Sequence, residues 1–147
     1  DLRVVREGRD KPIEMKVTRE IIDLKPVKWE VSQGVGIITV NSFSADATAD
    51  VKAGVTAVEK SLGGKPRGYI IDLRSNPGGL LDEAVGISDL FLERGEIVSQ
   101  RGRRKGDIDR YFAEPGDVAK GLPVVVLIDA GSASASEIVA GALQDQR

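Results

Sequence analysis

Two short apolar runs constrain this chain more than any other feature. "GYIIDLR" (68–74) and "PVVVLID" (123–129) are nearly continuous, rich in β-branched residues and too short to be helices. Such runs read as strands of a parallel sheet buried on both faces. Each is followed by a turn of small residues, "RSNPGG" after the first and "AGSASAS" after the second, and then by a helical pattern. In open α/β sheets, ligands bind outside the carboxyl ends of the strands. Both turns lie there, so they are the candidate site.

The remaining elements fit that frame. "GVGIITVN" (34–41) reads as a short strand, and Asp46 to Leu62 as a helix carrying Val51, Val55, Val58 and Leu62 on one face before a Gly63-Gly64 stop. Leu80, Ala84, Ile87 and Phe91 mark a second helix ending at Gly95, and "EIVSQ" a further strand. "RGRRKGDIDRYFAEPGDVAKG" shows no period and reads as a charged, solvated loop. A third helix begins near Ser136 and carries Ile138, Val139, Ala142 and Leu143. The order strand, helix, strand, helix, strand, strand, helix implies an α/β fold with a mostly parallel sheet. Residues 1–23 differ: "LRVVREG" and "IEMKVTRE" alternate apolar and charged residues around "RDKP", as a β-hairpin with one wet face does. "DLKPVKWEVSQG" follows as a linker or edge strand, and Trp29 and Tyr69 read as packing residues.

Composition removes several functions. A net charge of −2 gives no electrostatic reason for a nucleic-acid partner. With no cysteine there is neither a thiol nucleophile nor a cysteine metal site. No apolar run approaches the roughly 18 residues of a membrane span. Neither a dinucleotide fingerprint nor a Walker sequence occurs. The chain starts at Asp1 and stops at Arg147 inside a helical pattern, and reads as part of a longer polypeptide.

In the serine turn, Ser134 and Glu137 form S-x-x-E, a capping box before an apolar helical run. That accounts for Ser134 but not for Gly131, Ser132, Ala133, Ala135 and Ser136 all being small. Small residues at a sharp strand-to-helix turn let a hydroxyl stand exposed beside a backbone amide, as in a nucleophile elbow, although G-x-S-x-G is absent. Cap and nucleophile both remain open on these residues. In the other turn, Pro77 fixes φ while Gly78 and Gly79 permit close approach to their amides. The turn serves either as a tight βα connection or as a donor to developing negative charge. A serine nucleophile needs a base. The chain has no histidine, so a Ser-His-Asp triad cannot be built from it, and none of its nine lysines sits in an apolar setting that would depress its pKa.

"GYIIDLRSNPGGLLDEAV" followed by "PVVVLIDAGSASASEIVAGALQD" closely resembles the carboxyl-terminal processing proteases, also called tail-specific proteases, which are serine endopeptidases with a Ser/Lys dyad. The resemblance spans the whole chain and implies a ClpP/crotonase-like core over 24–147, preceded by a remnant of a PDZ domain at 1–23. It implies that Ser134 is the nucleophile and that Ala135, with Gly78 or Gly79, forms the oxyanion hole. It gives Asp145 a weak supporting role and places the general-base lysine beyond Arg147, so that residues 1–147 alone are inactive. Polypeptides with apolar C-terminal tails are the implied substrates, with no metal or cofactor and a periplasmic or cell-envelope location. A core with open strand edges also favours self-association. Two other classes stay open: a non-catalytic peptide-binding module with the serines as caps, and a crotonase-type acyl-transfer enzyme.

Overall fold

The computed structural model describes residues 1–20, 25–104 and 106–147. The expected boundary between residues 23 and 24 lies outside them, as does Lys105 of the charged run. The hairpin forms as read: β1 (Leu2–Val4) pairs antiparallel with β2 (Ile13–Met15), Leu2 opposite Met15 and Val4 opposite Ile13. None of the described side chains over 1–20 is buried.

The core is built on a four-stranded sheet in the order β3 (Val27–Ser32), β4 (Val35–Val40), β5 (Tyr69–Asp72), β8 (Val124–Leu127). β4, β5 and β8 run parallel, and β3 is an antiparallel edge strand. Ile38, Ile71 and Val126 form one row across the parallel strands; Gly36, Tyr69 and Val124 form another. On this face lie α1 (Ala47–Ser61), α2 (Leu81–Leu90) and α3 (Ala135–Gln146). Val51, Val55 and Val58 of α1, Ala84 and Ile87 of α2, and Val139, Ala142 and Leu143 of α3 are buried with the rows. α2 ends before the expected Gly95, because Phe91 and Leu92 turn inward to be buried after its last turn.

The opposite face departs from expectation. The row Ile37, Ile70, Val125 goes from half-buried to exposed, with Val125 at 52%. The continuous apolar run of 123–129 therefore does not mark a strand covered on both faces here, since the described helices share one side. Trp29 is 46% exposed and lies across Gly54, so it is not a core residue, whereas Tyr69 is buried as read.

β6 (Glu96–Arg101) pairs antiparallel with β7 (Ile108–Phe112), with an irregularity between Glu96 and Val98. β7 falls within the stretch read as a featureless charged loop. Its partners are largely polar (Ser99 opposite Arg110, Gln100 opposite Asp109), so the ladder leaves no apolar alternation to detect. No described helix is long and apolar enough to cross a membrane.

Gly36 sets the distance between sheet and α1. A Cβ there would lie 2.6 Å from Val58 Cγ1 and 3.0 Å from Tyr69 Cδ1. Gly36→Ala should therefore destabilise the protein by about 1–3 kcal/mol through overpacking. Urea denaturation would measure this, and an unchanged midpoint would mean that α1 can move away freely.

Candidate active site

The site is formed where β5 and β8 end side by side. The Leu73 amide donates to the Leu127 carbonyl at 2.9 Å, so the two turns leave the sheet together. Asp72 and Arg74 open the glycine turn with a fork: Arg74 Nε and Nη2 donate to the two oxygens of Asp72 at 2.9 and 2.6 Å. This pairing holds the Asp72 carboxyl below the usual carboxylate range and raises Arg74.

Asn76, read from sequence as a turn residue, is fully buried and joins three parts of the chain. Its Nδ2 donates to the Val40 carbonyl at the end of β4 (2.7 Å), and its Oδ1 accepts the Gly78 amide (2.9 Å). Its backbone carbonyl accepts the Ala133 amide at 3.1 Å and the Ser136 hydroxyl at 2.9 Å. The glycine turn and the serine turn are thus stitched together through one side chain and one carbonyl.

The three serines separate clearly. Ser136 is buried and its hydroxyl is bound to Asn76. The Ser132 hydroxyl donates to the Leu73 carbonyl at 2.8 Å and accepts the Asp129 amide at 2.9 Å. Ser134 is exposed and has φ 54°, ψ −114°, a conformation that costs a non-glycine residue about 1–3 kcal/mol. It occupies the N-cap of α3 in a capping box with Glu137, its side chain facing the Glu137 amide, and its hydroxyl donates to no group among the described residues. The Glu137 carboxylate accepts the Ser134 amide at 2.8 Å, while the Glu137 amide donates to the Ser134 backbone carbonyl at 2.9 Å. The backbone and Glu137 carry the ordered cap bonds, and the Oγ proton has no acceptor among the described residues.

Ala135 provides the first amide of α3, which has no acceptor among the described residues. The glycine turn approaches it closely. A Cβ on Gly78 (φ 108°) would lie 2.8 Å from Ser134 Cβ and 3.0 Å from the Ala135 nitrogen. The Gly78 amide is engaged by Asn76, whereas the Gly79 amide has no acceptor among the described residues. Gly79 packs on Phe43, whose carbonyl accepts the Leu80 amide at 2.7 Å. Ser134, Ala135 and Gly78 are therefore brought together, with Gly79 next to Gly78 in the turn. Asp145 is not: it is exposed near the far end of α3, about 16 Å along the helix from Ser134 at the usual rise per residue. Every described lysine is exposed, and none donates to Ser134.

Sequence reading passed over Asp129. Its carboxylate, at the end of the β8 run, accepts the Ser75 amide at 2.7 Å and the Gly131 amide at 2.9 Å. These bonds, led by that from Ser75, hold its carboxyl below the usual range. The available signal was Asp129-Ala130-Gly131, an Asx-turn pattern in which a side-chain oxygen takes an amide two residues on.

Both Asp72 and Asp129 carry depressed pKa values in the folded state. Their stabilising effect is complete above the unfolded carboxylate range near about pH 4 and is lost as pH falls through the lower folded values. The urea midpoint should drop on acidification from about pH 5 to about pH 3, and Asp129→Asn should show a shallower drop. Parallel curves for variant and wild type would remove Asp129 from the account.

Comparison with known proteins identifies a family. A family profile described as peptidase family S41 matches residues 34–147. The chain is 46% identical over 147 residues to a carboxy-terminal-processing protease of Bartonella bacilliformis, covering 99% of this chain and 34% of that protein. It is 38% identical over 151 residues to a carboxyl-terminal-processing protease of Synechocystis, again with 99% and 34% covered. Its fold is similar to that of a photosystem II D1 C-terminal processing protease, with TM-score 0.71 and 27% identity over 92% of this chain and 38% of that one. The chain thus spans about a third of the length of these curated relatives. Over the stretch that holds both turns and the strands behind them, the chain belongs to peptidase family S41.

Proposed function

We propose that the polypeptide containing this segment is a serine endopeptidase that cuts proteins near apolar C-terminal tails, with Ser134 as its nucleophile. The observation that carries this reading is the isolation of one hydroxyl. The Ser132 and Ser136 hydroxyls donate to backbone carbonyls, while Ser134 is exposed and strained at the start of α3 and its hydroxyl donates to no described residue. Strain of this kind, at the turn between a strand and a helix, is how an elbow presents its nucleophile.

In this reading Ser134 Oγ attacks the scissile carbonyl carbon and its proton passes to a neutral lysine amine. The reading takes that lysine from polypeptide outside residues 1–147, in keeping with described lysines that are exposed and make no hydrogen bond to Ser134. The oxyanion is met by the amides of Ala135 and Gly79, both without acceptors among the described residues. Gly78 belongs to the hole by lacking a side chain, which leaves the space beside Ala135 open. Collapse of the tetrahedral intermediate expels the amine, which takes the proton from the lysine, and water then hydrolyses the acyl-enzyme using the same base. The helix N-terminus adds partial positive charge where the oxyanion forms.

The hairpin β1–β2 fits the end of a PDZ domain at 1–23. It lies outside the matched stretch 34–147 and shares no buried described side chain with the core assigned to 24–147. The parallel βαβ units support a ClpP/crotonase-like core. A periplasmic or cell-envelope location belongs to the same reading. The exposed Val125 of edge strand β8 and the exposed Ile128 just beyond it support self-association of the segment.

The test uses the whole polypeptide and an unstructured protein with an apolar tail. Ser134→Ala should lower cleavage by about 10⁴-fold or more. Ser132→Ala should stay within about tenfold of wild type, because it alters only turn bonds. Residues 1–147 alone should not cleave. Cleavage by Ser134→Ala at the wild-type rate would reduce Ser134 to a helix cap.

A further inference from the structure

We propose that Asp129 is a positioning residue for this site, holding the serine turn against the glycine turn so that Ser134 Oγ and the amides of Ala135 and Gly79 face one point. This rests on the reading of Ser134 as nucleophile. Asp129 lies two residues beyond β8 and five before Ser134. It is exposed and adds nothing to the apolar core. A carboxylate at such a place is ordinarily solvated. Here Oδ1 reaches across to the Ser75 amide (2.7 Å) and back to the Gly131 amide (2.9 Å), while Oδ2 accepts the Ser75 hydroxyl at 3.2 Å. Oδ1 also lies 3.3 Å from the Ser132 hydroxyl, whose single proton is better placed on Leu73.

The backbone of Asp129 closes the same arrangement. Its amide donates to Ser132 Oγ at 2.9 Å, and its carbonyl accepts the Ser132 amide at 3.0 Å. Ser75 is held at φ 58°, a left-handed conformation that aims its amide at the carboxylate. Gly131 allows the close approach, since a Cβ there would lie 3.0 Å from Ser75 Cα and 3.3 Å from Oδ1. The buried seam at Asn76 fixes the inner side of the two turns, and Asp129 fixes the outer side. Without the outer tie the turns can hinge about Asn76, and a displacement near 1 Å at reacting groups costs about 100-fold in rate.

The experiment compares wild type, Asp129→Asn, Asp129→Ala and Ser134→Ala in the whole polypeptide. It measures kcat and KM for an apolar-tailed protein substrate, the rate of Ser134 labelling by a serine-directed fluorophosphonate, and the unfolding midpoint. The expected kcat order is wild type, then Asn, then Ala, with Ala lower by about 10–100-fold, labelling slowed in step and KM within about threefold. Partial rescue by Asn follows because its carbonyl oxygen still accepts the Ser75 amide, without the charge. If Asp129→Ala does not fold, Asp129→Asn decides alone: lowered kcat with an unchanged midpoint supports the role, and wild-type kcat overturns it. Wild-type kcat in both variants, or equal losses that vanish when assayed well below the unfolding midpoint, would also overturn it. Ser134→Ala separates the two proposals: an inactive Ser134→Ala beside fully active Asp129 variants sinks only the positioning role, whereas an active Ser134→Ala sinks the reading beneath it.

Discussion

The hydrogen bonds of Asn76 are the constraint on which the rest of this site depends. One fully buried residue receives or donates bonds to the end of β4, to Gly78, to Ala133 and to Ser136. Buried polar groups are stabilising only when their partners are all in place, and a half-satisfied network is worse than an apolar one. The network therefore specifies a single relative placement of three chain segments. Replacing Asn76 by Asp would put a charge beside the Val40 carbonyl, and by Leu would leave that carbonyl and the Gly78 amide without partners. The apolar rows behind it give the sheet its stability, but they do not dictate how the turns meet.

Much of the frame was legible because it follows from periodicity. Val51, Val55 and Val58 announce α1, and the apolar runs at 69–72 and 124–127 announce neighbouring parallel strands. β7 was not legible, since strand pairing between polar residues leaves no hydrophobic trace. Nor does a continuous apolar run reveal how many faces are covered. "VVVL" reads alike for either case, and only the stacking of α1, α2 and α3 on one side decides it. Val125 marks the difference.

The candidate site was legible in kind but not in detail. Small residues at two strand ends pointed to close approach, and the S-x-x-E pattern pointed to a cap. What the pattern could not show is that the Glu137 amide bonds the Ser134 carbonyl, so that the cap makes no use of the hydroxyl's proton. Nor could it show that the Asn76 side chain takes up the Gly78 amide and leaves that of Gly79 without an acceptor among the described residues. Contacts between residues some 60 apart, such as Ser136 with Asn76, leave no local signature.

The backbone at Ser134 has an evolutionary consequence. A left-handed φ of 54° is a place where glycine is at ease and serine is not. Selection acting on fold stability alone would drift this position towards glycine, and a lineage released from the need for a hydroxyl should lose it there first. Retaining serine means keeping the protein below the stability its own fold could reach, as expected where a strained residue serves chemistry instead of packing.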